Sequence, residues 1–345
     1  MSEIRQDPTT REWVVVAPER AKRPQDAPKS APVHEIPNWD KSCPFCPGNE
    51  NQTPIEVLRF PSSADVSDWA VRIIPNRFGA FSGLGDTARK TEGNLFRKMD
   101  GVGVNEVIIE TPVHNMPMAL MTYEQVETVL FAYLERYNTL KKIRQLKFIT
   151  IFKNHGWASG TSLIHSHSQL VATPIAGIYY RRKFDAAVNY YDDMGKCLYC
   201  DLIVEELKTG ERVVAETKDF VVLHPYASRV PYETWIIPKM HRASFGLFPS
   251  TYLTELSVVL KDTLLGLYRE LDNPAFNYMF NTSTTEDEED PYYHWHIRIV
   301  PRLTTIAGFE MGSGIYISTA MPEDTARIMK KVADSIAREH RDLAP

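Results

Sequence analysis

The sequence predicts an α+β protein made from one unit used twice. Three observations carry this: each half has a Cys-x-x-Cys pair, then a lone histidine after a β-rich run, then a His-x-His, in that order. The first copy reads Cys43-Pro-Phe-Cys46, His114, His165-Ser-His167; the second reads Cys197-Leu-Tyr-Cys200, His241, His294-Trp-His296. From lone to paired histidine is 51 residues in one copy and 53 in the other. Such agreement in type, order and spacing is hard to assign to chance.

The elements follow in order. Residues 17–40 are proline-rich and read as an extended loop. Short β-rich runs at 71–74, 107–109 and 148–152 come next. Between the last two, Thr122 and Gln125 form a capping box, and Val126, Val129, Leu130, Tyr133, Tyr137 and Leu140 keep helical spacing. In the second half, strands are expected at 220–223, 234–237, 278–280 and 295–300. One helix puts Leu253, Leu256, Leu260, Leu264, Leu267 and Leu271 on one face. A last helix after Pro322 turns Ile328, Met329, Val332 and Ile336 inward. The acidic run 286–290 reads as a solvated loop. At about 150 residues per domain, 345 residues suggest two domains, 1–190 and 191–345, with Gly195-Lys196 beside the junction.

Composition narrows the class. Hydrophobic residues at 43% and charged residues at 24% are those of a globular chain, which argues against disorder, collagen or a coiled coil. No apolar run approaches the ~18 residues of a membrane span, and the N-terminus is polar from the start, so a cytoplasmic protein is expected. A net charge of −5 gives no general field for nucleic acid. Anionic ligands must be met by local basic sites.

The cysteines carry the first chemistry. With no sign of export, two thiolates at this spacing are half of a tetrahedral zinc site. A thioredoxin-like redox motif fits one pair better than both, and four inert buried cysteines leave the repeated spacing unexplained. The repeat therefore implies two zinc ions, at Cys43, Cys46, His114 and His165, and at Cys197, Cys200, His241 and His294. His296 is a rival for the last position.

Strand alternation puts His165, His167 and Gln169 on one face, and Ser166 and Ser168 on the other. If His165 binds the metal, His167 lies about 6–7 Å further along that face, close to the ion but free of it. Upstream, the loop from Asn154 through Gly160, Thr161 and Ser162 is small, polar and glycine-bearing, suited to a phosphate. A free imidazole beside a phosphate cradle points to nucleophilic catalysis at phosphorus by His167. Gln169 and Ser162 are placed to donate to the transferred group.

The segment Gly160-Thr-Ser-Leu-Ile-His165-Ser-His167-Ser-Gln169, with both Cys pairs and Glu19-Arg20-Ala-Lys-Arg23-Pro, resembles the galactose-1-phosphate uridylyltransferase family. That family is the nucleotidyl-transferase branch of the histidine-triad superfamily, and the likeness runs from Arg5 to Tyr316. It implies two tandem histidine-triad-like halves forming an antiparallel half-barrel sheet with flanking helices, in a homodimer. It implies transfer of a nucleoside monophosphate from a nucleotide sugar to a sugar 1-phosphate through a nucleotidyl-histidine. Arg20 and Arg23 would then meet the nucleotide phosphates, and Asn76 and Phe78 the nucleoside. Phe309 and Glu310 lie in the family's substrate segment, although the lysine preceding it in the best-known members has no counterpart here. Family members usually have proline between the paired histidines; Ser166 is what the plant-type relatives that phosphorolyse ADP-glucose resemble. The stretch 281–293 lacks histidine, so the iron site of some members is not expected and the two-zinc type is. UDP-glucose with galactose 1-phosphate, in galactose metabolism, is the first expectation; ADP-glucose with phosphate is the second. A dinucleotide hydrolase would put a histidine where Gln169 stands, and a neutral amide cannot supply the acid that a hydrolytic cycle favours. A zinc-stapled binding module would call for a basic or aromatic surface that the composition does not signal.

Overall fold

The computed structural model describes residues 2–22, 36–61, 68–83 and 85–343. Arg23 lies outside them. The chain runs β1 (Glu3–Gln6), β2 (Trp13–Val16), β3 (Leu58–Pro61), β4 (Trp69–Pro75), β5 (Lys90–Glu92), β6 (Phe96–Lys98), β7 (Val104–Ile109), α1 (Tyr123–Leu140), β8 (Phe148–His155) and β9 (His167–Thr173). It continues α2 (Ile178–Met194), α3 (Leu198–Thr209), β10 (Val213–Glu216), β11 (Phe220–Leu223), β12 (Thr234–Pro238), α4 (Leu253–Glu270), β13 (Phe276–Asn281), β14 (His296–Pro301), α5 (Gly308–Ser313), β15 (Tyr316–Ser318) and α6 (Pro322–Leu343).

Ten strands form one sheet in the order β10-β11-β12-β14-β13-β8-β9-β7-β4-β3. All its pairings are antiparallel, and it is open, with β10 and β3 at the edges. The order is palindromic about the β8–β13 pair, so the repeat read in the sequence is a repeat in space. β7-β9-β8 in the first half match β12-β14-β13 in the second, and α1 and α4 occupy equivalent places. The expected α+β class of like antiparallel halves with flanking helices is borne out. Gly195 caps α2 in the left-handed region at φ 66°, where a side chain would be strained.

One sheet face carries α1, α4 and α6 over a single core that includes Ile151, Leu170, Tyr133, Leu260, Ile297 and Met329. Alternation turns the other face toward two smaller clusters. One, around Cys46, Phe45 and Ile109, surrounds the first Cys pair; the other, around Tyr199, Trp235 and Tyr293, lies under α2 and α3. Both candidate sites are built on this second face.

Three local expectations are corrected. Residues 18–22 form a 3-10 turn rather than extended chain. In α6, Met329 and Ile336 are buried but Ile328 is exposed, because the inward stripe starts from Ala326. The acidic run is not merely solvated: Glu288 accepts from Lys141 Nζ at 2.9 Å and from Ser244 Oγ at 2.8 Å. Among the described residues, no helix is long and apolar enough to cross a membrane.

Candidate active site and metal centres

Cys43, Cys46, His114 and His165 come together with all four side chains buried and their ligand atoms within 4.8 Å of one another. Each histidine turns Nδ1 inward: His114 Nδ1 is 3.4 Å and His165 Nδ1 3.7 Å from Cys46 Sγ. His165 Nε2 donates to the Thr111 carbonyl at 2.7 Å, which fixes its tautomer and leaves Nδ1 free as a ligand. Burial pushes the Cys43 thiol up to about 11 and the His165 imidazole down to about 4. Two soft sulfurs and two such nitrogens, with no position left for a reactant, are the donor set of a structural tetrahedral ion.

The second group repeats the first. Cys197, Cys200, His241 and His294 gather within the same limit. Cys200 Sγ lies 3.4 Å from His241 Nδ1, and His294 Nε2 donates to the Pro238 carbonyl at 2.7 Å. In each copy that carbonyl belongs to the residue three before the lone histidine. The Asp290 carbonyl, 3.3 Å from His241 Nε2, orients the remaining ring, a task for the acidic run that the sequence did not signal.

His167 begins β9 outside the first cluster. Its Nδ1 donates to the His165 carbonyl at 2.7 Å, so the proton sits on Nδ1 and Nε2 keeps its lone pair. Burial holds the imidazole below its ordinary value, so the ring is neutral near pH 7. Phe45, from the Cys-Pro-Phe-Cys turn, packs T-shaped against the ring with centroids 5.4 Å apart. The ring lines a cavity of about 240 Å³ with Asn154, Gly156, Trp157 and Thr161.

The counterpart of His167 is His296, whose Nδ1 contacts the His294 carbonyl at 3.1 Å. Its surroundings differ. His296 is fully buried, stacks on Trp235 at 4.8 Å, and has Lys183 Nζ 3.2 Å from Nε2. The nitrogen that is free in the first half is engaged in the second. One fold unit thus presents an open imidazole and a sealed one.

The other expected residues fall into two sets. Asn76 reaches the His167 strand, its Nδ2 donating to Gln169 Oε1 at 3.4 Å. Asn76 Oδ1 accepts from the Phe78 backbone, leaving that ring exposed. Gly160 closes the 3-10 turn after β8 at φ 90°, Thr161 Oγ1 donates to the Leu163 carbonyl, and Ser162 is exposed. Arg20 lies instead in the turn after β2, and Phe309 and Glu310 lie in α5 before β15. β2 and β15 belong to a separate three-stranded sheet from the strand carrying His167. Sequence reasoning missed Lys153 and Glu110, a buried charged pair beside the His165–His167 segment. It also missed Lys183.

Residues 1–176 match the family described as galactose-1-phosphate uridyl transferase, N-terminal domain, and residues 183–344 match its C-terminal domain. An ADP-glucose phosphorylase of Arabidopsis thaliana is 35% identical over 96% of this chain and 93% of its own. A galactose-1-phosphate uridylyltransferase of Thermotoga maritima is 29% identical over 96% of this chain and 98% of its own. A crystal structure of an Arabidopsis thaliana ADP-glucose phosphorylase with bound ADP-glucose superposes with a TM-score of 0.81 at 33% identity, covering 96% of this chain and 98% of that one.

Proposed function

Because this chain belongs to the galactose-1-phosphate uridyl transferase family, we propose that it transfers a nucleoside monophosphate from a nucleotide sugar by way of a covalent nucleotidyl-His167. The observation that carries this is the tautomer: His167 Nδ1 is bound to the His165 carbonyl, which leaves Nε2 unprotonated on a ring that lines the cavity. Nε2 attacks the α-phosphorus; the bond to the sugar-phosphate oxygen breaks, and sugar 1-phosphate leaves. The positive charge that develops on the ring is supported through Nδ1–H and the His165 carbonyl. An acceptor oxygen then attacks the same phosphorus and frees the histidine, so the kinetics are ping-pong.

The residue roles rest on the resemblance to the family. Gln169, steadied by Asn76, is offered as donor to the transferred phosphate, with Asn154 and Thr161 lining the cavity and Gly160 and Ser162 in the adjoining loop. Arg20 and Arg23 are proposed to meet nucleotide phosphates, where guanidinium suits bidentate contact, and Phe78, Phe309 and Glu310 to contact the substrate. Zinc fits both Cys2His2 sets and would hold the loops around His167 and under α3 without entering the reaction. The second half, with His296 sealed, has no transfer step of its own. We place the protein in the cytoplasm as a homodimer.

For the substrate pair, ADP-glucose with inorganic phosphate is favoured by the 35% identity to the plant phosphorylase and by Ser166. UDP-glucose with galactose 1-phosphate is favoured by the Thermotoga relative, aligned over nearly its full length. A side-by-side assay of the two pairs decides between them. Release of glucose 1-phosphate and ADP supports the first; release of UDP-galactose supports the second. Steady hydrolysis, or no turnover of either donor, would overturn the reading.

A further inference from the structure

Beside the His165–His167 segment, Lys153 and Glu110 form an ion pair with side chains at most 1% exposed, and Lys153 and Ser166 are among the residues that line the His167 cavity. The chemistry above does not use it. Burial alone would raise the Glu110 carboxyl, but the Lys153 cation and hydrogen bonds from Lys153, Ser166 and Tyr133 outweigh that and hold it below the ordinary range. Ser166 sits at the centre. Its Oγ donates to Glu110 Oε2 at 2.7 Å and accepts from Lys153 Nζ at 2.9 Å. Its carbonyl accepts from the Glu110 backbone at 3.2 Å, and Lys153 Nζ also donates to the His167 carbonyl at 3.2 Å.

Two buried charges are costly, and an apolar pair of similar volume often serves a core as well or better. What this pair adds is direction. Its bonds converge on the one residue between the metal ligand and the free imidazole, whose Nδ1 takes its bearing from the His165 carbonyl. We propose that Ser166, held by the buried Glu110–Lys153 pair, is a positioning residue that sets the attack geometry of His167. The proposal rests on the nucleotidyl-transfer reading. A small tilt of the Ser166 peptide moves that carbonyl and the ring with it, and a misplacement near 1 Å can cost about 100-fold in rate.

The test is rapid-quench measurement of label transfer to His167 from whichever of ADP-glucose or UDP-glucose the wild type uses, with zinc content and donor KM determined in parallel. Ser166→Ala is expected to slow transfer about 10- to 100-fold, with KM within about twofold and zinc unchanged. Ser166→Thr, which keeps the hydroxyl, should recover to within about threefold of wild type. Where Ser166→Ala folds poorly, the double variant Lys153→Met with Glu110→Gln removes both charges at similar volume and should show the same slow transfer. A rate within about twofold of wild type in Ser166→Ala or in the double variant overturns the proposal. So does a loss that tracks zinc or KM, or a Ser166→Thr as slow as Ser166→Ala. Label absent from wild-type His167 removes the functional reading and this proposal together; label present with an unchanged Ser166→Ala rate removes this one alone.

Discussion

In the proposed mechanism the chemistry at His167 turns on which imidazole nitrogen holds the proton, and one backbone carbonyl decides it. His167→Ala should therefore lower transfer by at least about three orders of magnitude while zinc content stays at the wild-type level. Metal analysis beside the rate separates this from a folding defect. A second residue-scale prediction concerns His224, buried and bonded through Nδ1 to Thr325 Oγ1 at 2.7 Å. Burial depresses it from 6.5 to about 3, so the folded protein holds the neutral form. The unfolded chain binds the proton first as pH falls. Its contribution is complete above about pH 6.5 and shrinks below it, by about 2 kcal/mol at pH 5. Denaturant titrations at pH 7 and 5 should show a smaller drop in His224→Asn than in wild type; equal drops would refute it. The histidines, cysteines and alternation around His167 were legible in the sequence because chemistry fixes their type and spacing. Lys153 was not, since a lysine near a strand end reads as solvent-facing until Glu110, 43 residues away, is known to meet it.

Among the elements, α1 was readable end to end. Thr122 Oγ1 accepts from the Gln125 backbone at 3.2 Å, and Gln125 Oε1 accepts from the Thr122 backbone at 2.9 Å. Thr122→Ala should cost about 1 kcal/mol, measured by denaturant unfolding. No change would mean that packing on α4 alone fixes the helix start. The helix α2 was not foreseen, because its buried face is Tyr180, Lys183, Ala186 and Ala187 rather than a run of aliphatic residues. β1, β2 and β15 escaped for another reason. Each has four residues or fewer, and the parallel β2–β15 pairing joins opposite ends of the chain, beyond any local pattern.

For the whole molecule, the repeat in the sequence became one continuous sheet joined where β8 pairs with β13. Its halves then diverged: Phe45 ties the first Cys pair to an open His167, while Lys183 and Trp235 close over His296. Disturbing the two Cys2His2 groups should have different consequences. Cys46→Ser should lower both stability and transfer, because the turn bearing Phe45 loosens against the imidazole. Cys200→Ser should lower stability with a much smaller loss of transfer in the protein that remains folded. Thermal unfolding, zinc content and turnover on both variants check this, and equal loss of turnover would contradict the division of labour.

The central claim is a covalent nucleotidyl group on His167. The most direct measurement mixes the protein, without acceptor, with ADP-glucose or UDP-glucose labelled in the α-phosphate, followed by proteolysis and mass analysis. The account predicts one labelled peptide, containing His167, labile to acid and stable to alkali, formed together with released glucose 1-phosphate. Label on another residue, or exchange between donor and acceptor with no label on the chain, would contradict it.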